Sequence, residues 1–182
     1  MRKIKLGLLA AASACMLAAL PAQANLVVNG GFETGAFPPW VPDNATITSV
    51  AADVHSGTYA AQLHPSSSSI TQPVPITAGT YFLDFWAKTD GAGILTVTLD
   101  AGAPVLVLTF LGASAYTQYV HSFTTLGPGD LRFSWSDLLT NSAFIDDVNL
   151  VPEPTTMIAG ALLLLPFAAS TLRGLRNRFA LA

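Results

Sequence analysis

The chain has 182 residues and a single cysteine, Cys15, which lies near its start. Everything downstream is therefore without disulfide or thiol chemistry, and a folded part there must draw its stability from its core. Positive charge is the next scarcity. Residues 25–151 carry ten acidic side chains against two basic ones, Lys88 and Arg132, leaving eight net negative charges. The whole-chain value of −3 hides this, because the other six cations lie in the two ends. So acidic a domain speaks against nucleic acid, which demands clustered Lys and Arg. It suits solubility, cation binding or neutral ligands. Signs of catalysis are missing too. His55, His64 and His121 show no metal-ligand spacing, and no Gly-x-Ser-x-Gly elbow occurs. Asp146 and Asp147 adjoin on an expected strand, where neighbours point to opposite faces, so they form no facing acid–base pair. The chain reads as a non-enzyme. Residues 25–151 also lack any helix-period segment of useful length.

What is present begins with two apolar ends, which set the mean hydropathy of +0.50. Residues 1–24 have the layout of a secretory signal peptide. Arg2, Lys3 and Lys5 precede an apolar run, and Ala22-Gln23-Ala24 offers a cleavage site that leaves Asn25 first. The rival is a lipoprotein acylated at Cys15, but Ala12-Ser13-Ala14 lacks the usual Leu and the apolar run continues past the cysteine. At the other end, Pro152-Glu153-Pro154 precedes an uncharged run, 155–172, and then a basic tail, 173–182, with Arg173, Arg176 and Arg178. The run is about as long as the shortest transmembrane helix crossing ~30 Å of hydrocarbon. Its arginines favour the cytoplasmic side, which puts the rest of the chain outside the cytoplasm. A buried soluble helix would show a polar face, and this run has none. A permanent anchor is the other alternative.

Between the ends, residues 25–151 read as all-β. Short β-rich runs at 26–28, 46–50, 58–63, 70–74, 80–88, 94–100, 105–111, 116–124, 131–135 and 143–150 alternate with turn signals. In 80–88, Tyr81, Leu83, Phe85 and Ala87 share one face; Phe82, Asp84, Trp86 and Lys88 share the other. Pro65 and the four serines after it read as a polar, flexible loop. So many short strands in one domain predict a two-sheet antiparallel jelly-roll sandwich with its chain ends close together.

The order of motif, span and arginines at 152–182 closely resembles the PEP-CTERM sorting signal of Gram-negative bacteria. The resemblance implies recognition by an exosortase and membrane anchoring before processing. Cleavage near Pro152-Glu153-Pro154 would then deliver the domain to the cell surface or exopolysaccharide matrix. The logic parallels a GPI signal, whose hydrophobic tail is lost.

A second resemblance covers the domain. Asn29-Gly30-Gly31-Phe32-Glu33, the segment from His55-Ser56-Gly57 to Leu63, the strand around Trp86, and Phe144-Ile145-Asp146-Asp147-Val148 occur in an order that resembles galactose-binding-like jelly rolls, typified by carbohydrate-binding modules. It implies a structural Ca2+ held by the Glu33 and Asp146 carboxylates and by backbone carbonyls near Gly31, His55 and Ser56, with Asp53 a further ligand. Six to eight hard oxygens are what calcium takes. Polysaccharide binding is implied as well, through flat aromatic rings. Trp86, Trp40 and Tyr119 are the ligand-binding candidates; Trp86 shares its face with Asp84 and Lys88, and Trp40 comes after a Pro-rich loop. Phe85, Phe123, Phe133, Phe144 and Trp135 are expected in the core. The alternative to a glycan binder is a structural or adhesive surface protein with no glycan pocket.

Overall fold

The computed structural model describes residues 24–99, 104–137 and 140–153. Residues 1–23 of the expected leader, Pro154, the 155–172 span, and Arg173, Arg176 and Arg178 lie outside the described residues. Among those described, no helix is long and apolar enough to cross a membrane.

Among the described residues, ten antiparallel strands form two five-stranded sheets. One sheet holds, in spatial order, β1 (Val41–Asp43), β4 (Ser67–Val74), β9 (Gly129–Ser136), β6 (Gly93–Leu99) and β7 (Pro104–Phe110). The other holds β2 (Ala45–Thr48), β3 (Ala60–Leu63), β10 (Ala143–Pro152), β5 (Gly79–Thr89) and β8 (Ser114–Thr125). The architecture is the expected jelly-roll sandwich, and its cause is the period-two pattern. On β5 the odd-numbered residues from Tyr81 to Thr89 are buried and the even-numbered ones only partly so. Leu131, Phe133 and Trp135 of β9 and Leu95, Val97 and Leu99 of β6 face them from the opposite sheet. Each such side chain contributes about 1.5–3 kcal/mol by leaving water.

Two local expectations change, and a strand appears where none was expected. The serines after Pro65 do not form a flexible loop. Ser67, Ser68 and Ser69 open β4 against Ser136, Trp135 and Ser134 of β9, because a ladder with a committed neighbour overrides weak intrinsic preference. Residues 26–28 join no ladder. Instead Gln72, buried on β4, accepts from the Val28 amide at 2.9 Å and donates to the Val28 carbonyl at 2.9 Å, standing in for a partner strand. The unexpected strand, β1, pairs with Thr71, Ile70 and Ser69 and carries Pro42 at the sheet edge, where a missing amide is tolerated.

The two ends of the domain do meet. Leu26 donates its amide to Leu150 at 2.8 Å, and the Asn25 side chain accepts from the Leu150 amide at 2.8 Å. The last strand also runs further than residue 151. Pro152 pairs with Tyr81, and the Glu153 amide donates to Thr80 at 2.8 Å, so the ladder enters the Pro-Glu-Pro motif.

Candidate functional site

The residues that sequence reasoning grouped at the two ends and the middle of the domain meet on the outer side of the β5–β10 sheet. Residues 50–59 lie there, with one 3-10 turn at Ala51–Asp53. Lys88 holds this turn from below. Its ammonium lies 2.7 Å from the Asp53 carboxylate, donates to the Ala52 carbonyl, and sits 4.7 Å from the Phe144 ring centroid. Tyr116 donates its hydroxyl to the Asp53 carbonyl at 2.8 Å. Asp53, expected among the metal ligands, is thus committed to an ion pair.

Next to this turn, two carboxylates grip the chain by its amides. Asp146 is fully buried, and its Oδ2 accepts from the His55 and Ser56 amides at 2.9 and 3.1 Å; its Oδ1 accepts from the Asp147 amide at 2.8 Å. Glu33 accepts from the Thr58 amide at 2.9 Å and from the Tyr59 amide at 3.0 Å. Gly57 between them has φ +69°, and a Cβ there would lie 2.4 Å from the Glu33 carboxylate. Gly30 allows the first turn to reach the last strand: it accepts from the Val148 amide at 3.0 Å, and a Cβ there would lie 2.1 Å from the Val148 oxygen. Burial lifts the Asp146 pKa from 3.8 to about 6; the three amides oppose the rise, and the neighbouring Asp147 charge adds to it. Tyr116 is also driven upward, first by burial and then by Asp146, Asp53 and Asp147.

The expectation that Asp146 and Asp147 diverge is corrected. The β10–β5 register shifts between Asp146 and Asn149, and Asp147 takes a left-handed φ of 50°. This bulge breaks the alternation and turns both carboxylates toward residues 55–56. Asp147 Oδ2 lies 2.7 Å from His55 Nδ1, and its Oδ1 accepts from the Ser56 hydroxyl at 2.8 Å. His55, one of three histidines without metal-ligand spacing, is thus drawn into this cluster. Its ring stacks on Trp86 at 3.8 Å and 15°. Neither the bulge nor the imidazole's part was legible in sequence. An Asp-Asp pair beside a small-residue turn partner was the available signal.

Whether these residues fit calcium can be asked of the hydrogen bonds. Glu33 and Asp146 lie where the resemblance implies, one on each side of residues 55–59. Each carboxylate, however, already serves backbone N–H donors. A calcium cage needs carboxylate and carbonyl oxygens turned toward a common centre. The N–H bonds make the arrangement an amide clamp, and they leave each carboxylate further lone pairs with which to meet a cation.

The aromatic candidates are engaged by the protein itself. Trp40 is 2% exposed, packs between Phe32 and Phe133, and donates its indole N–H to the Asn29 carbonyl at 3.2 Å. Trp40 does stand in the loop before β1, but the expectation that it faces a ligand is overturned, because the aromatic cluster behind Phe32 buries it. Tyr119 stacks on Phe85 at 5.5 Å and meets Phe110 edge-on, on the core side of β8. Trp86 has one face covered by His55. Phe85, Phe133 and Trp135 are in the core as expected, and Phe123 packs against its edge. Phe144 is buried too, on the outer side beneath Lys88.

No protein-family profile matches the chain, and no curated protein matches it in sequence. Solved structures match its fold, and carbohydrate-binding modules are among them. TmCBM61, solved in complex with β-1,4-galactotriose, aligns over 71% of this chain and 99% of its own, with 24% identity and a TM-score of 0.55. A family 16 carbohydrate-binding module aligns over 70% of this chain and 99% of its own, with 22% identity and a TM-score of 0.53. The adhesin domain of Lys-gingipain from Porphyromonas gingivalis aligns over 71% of this chain and 96% of its own, with 10% identity and a TM-score of 0.55. These likenesses define the class of fold, a jelly-roll sandwich of the kind seen in carbohydrate-binding modules.

Proposed function

We propose that this protein is a non-catalytic carbohydrate-binding module, exported and sorted to the cell surface or its exopolysaccharide matrix by an exosortase acting on its C-terminal signal. The supporting observation is the match in fold to two carbohydrate-binding modules, aligned over 99% of each module's own length with TM-scores of 0.55 and 0.53. The acidity of the domain favours a neutral polysaccharide over an anionic one. A second reading is a structural or adhesive surface protein without a glycan pocket. It is favoured by the engagement of Trp40, Tyr119 and one face of Trp86 within the protein. Glycan arrays and affinity electrophoresis of the full chain against neutral and acidic polysaccharides separate the two. Retardation by a neutral polymer, weakened by Trp86→Ala, supports the first. Unretarded migration in every polymer overturns it and leaves the adhesive reading.

A further inference from the structure

We propose that the protein pairs with a second copy of itself along the free edge of β8, two sandwiches meeting side by side about a two-fold axis. Charge gives the first reason. Residues 101–129 contain no Asp, Glu, Lys or Arg, in a domain that is otherwise strongly acidic. They supply β7, β8 and the connection between them. β7 and β8 are edge strands of their two sheets, and Phe110 of β7 meets Tyr119 of β8 edge-on, so they border one side of the sandwich. Two copies that each carry this excess of negative charge repel one another, and close approach is least opposed where neither presents charge. Apolar surface gathers on the same side. Half of the exposed large apolar side chains among the described residues, Val107, Leu111, Val120 and Leu126, belong to this stretch. Leu111 and Leu126 flank the two ends of β8 and are 94% and 92% exposed.

The backbone selects β8 within that side. A sheet edge offers unpaired N–H and C=O groups to any second strand, and proteins guard it with short strands, Pro, charge or bulges. The other edges are guarded in this way. β1 has three residues and includes Pro42 and Asp43, β2 has four, and β7 opens on Pro104 and shifts register against β6. β8 has twelve residues and no Pro, Asp, Glu, Lys or Arg. It runs for about 40 Å. From Thr117 to Thr125 its register against β5 is unbroken. Its Tyr, Thr, Val and Phe side chains favour sheets. A second β8 is the strand that fits. Antiparallel about a two-fold axis, the same patch serves both copies, and the pair closes without leaving a β8 edge to recruit a third. Specific interfaces bury about 800 Å² per partner. Val120 on β8, with Leu111 and Leu126 beyond its ends, adds apolar area to the paired backbone. Neither glycan binding nor sorting is needed for this contact.

The test is sedimentation of the full-length protein in detergent over a range of concentrations, with hydrogen exchange read in parallel. A monomer–dimer equilibrium is expected. Exchange across 117–125 should slow as concentration rises, while β1 and β2 stay as they are, a readout that does not depend on any variant folding. Val120→Lys and Ser122→Lys set like charges against their partners across the paired strands. Each is expected to weaken the dimer at least tenfold with the far-ultraviolet circular dichroism and the unfolding midpoint unchanged, whereas Val41→Lys on β1 dimerises as wild type. Protein that stays monomeric at every concentration overturns the proposal. So does a dimer indifferent to Val120→Lys and Ser122→Lys, which would place the contact in the tail or elsewhere. Concentration-dependent protection at β1 or β2 in place of β8, or association that continues past the dimer, overturns it as well.

Discussion

Glu33 and Asp146 do with backbone amides what a cation does elsewhere with carbonyls, drawing distant parts of the chain to one point. The geometry leaves little tolerance at Gly57. An added Cβ would meet the Glu33 carboxylate at 2.4 Å, and the φ of +69° is strained for any residue with a Cβ. Gly57→Ala is therefore expected to cost about 1–3 kcal/mol, read from urea denaturation. Asp146 gives a pH signature of definite sign. Its folded pKa, about 6, stands above the ordinary 3.8, so between those values the folded protein holds more protons than the unfolded chain. Its contribution to stability is then greatest below pH 3.8 and is lost as pH rises through 6. The side-chain amide of the Asp146→Asn variant does not titrate. The margin by which wild type exceeds that variant is expected to shrink by up to ~3 kcal/mol from pH 4 to above pH 6. Melting both proteins across that range checks it, and a margin that grows with pH would reverse the assignment of burial as the dominant cause.

Among the elements, β10 is the hub: it pairs with β3 and β5, and its far end meets the N-terminal segment. Much of this was legible. The alternation on β5 and the Leu131, Phe133, Trp135 face arise from side-chain periodicity, which a sequence displays directly. The gathering of Glu33, His55, Ser56 and Asp146 at one place was legible only through the order of short motifs. The features that escaped were set by partners distant in sequence. The serines at 67–69 form a strand because β9 is beside them, and residues 26–28 join none because Gln72 takes the Val28 backbone groups while Leu150 and the Asn25 side chain take the Leu26 and Val27 amides. Asp147 departs from alternation because a bulge inserts there, which no local pattern announces. The role of Gln72 can be tested at this scale. Gln72→Leu leaves the Val28 amide and carbonyl without these partners, and about 1–3 kcal/mol of destabilisation is expected. Hydrogen exchange should quicken at Val28 while the β5 amides keep their order relative to global unfolding. Uniform loosening of both would mean that Gln72 serves the core at large and not the N-terminal strap.

For the whole molecule, the join between the domain and its C-terminal tail matters most. The sandwich does not stop short of the Pro-Glu-Pro motif. Pro152 is paired with Tyr81, and the Glu153 amide is tied to Thr80, so the first two residues of the motif belong to the fold. A processing enzyme must draw an extended segment into its active site, and a segment already paired in a sheet is withheld from it until the ladder end opens. Opening costs at least the Glu153–Thr80 hydrogen bond, about 0.5–1.5 kcal/mol. Under the proposed sorting, the mature product is therefore expected to begin at Asn25 and to end at or after Glu153. Intact mass of protein recovered from cells with and without the sorting enzyme measures both ends at once. A product ending upstream of Pro152, formed only when the enzyme is present, would show that the end of β10 peels readily and that the ladder does not direct the cut. Protein extending from Asn25 to Ala182 in both strains would instead remove the sorting step, leaving a sandwich tethered at the membrane, whose partners should then be sought at the membrane surface.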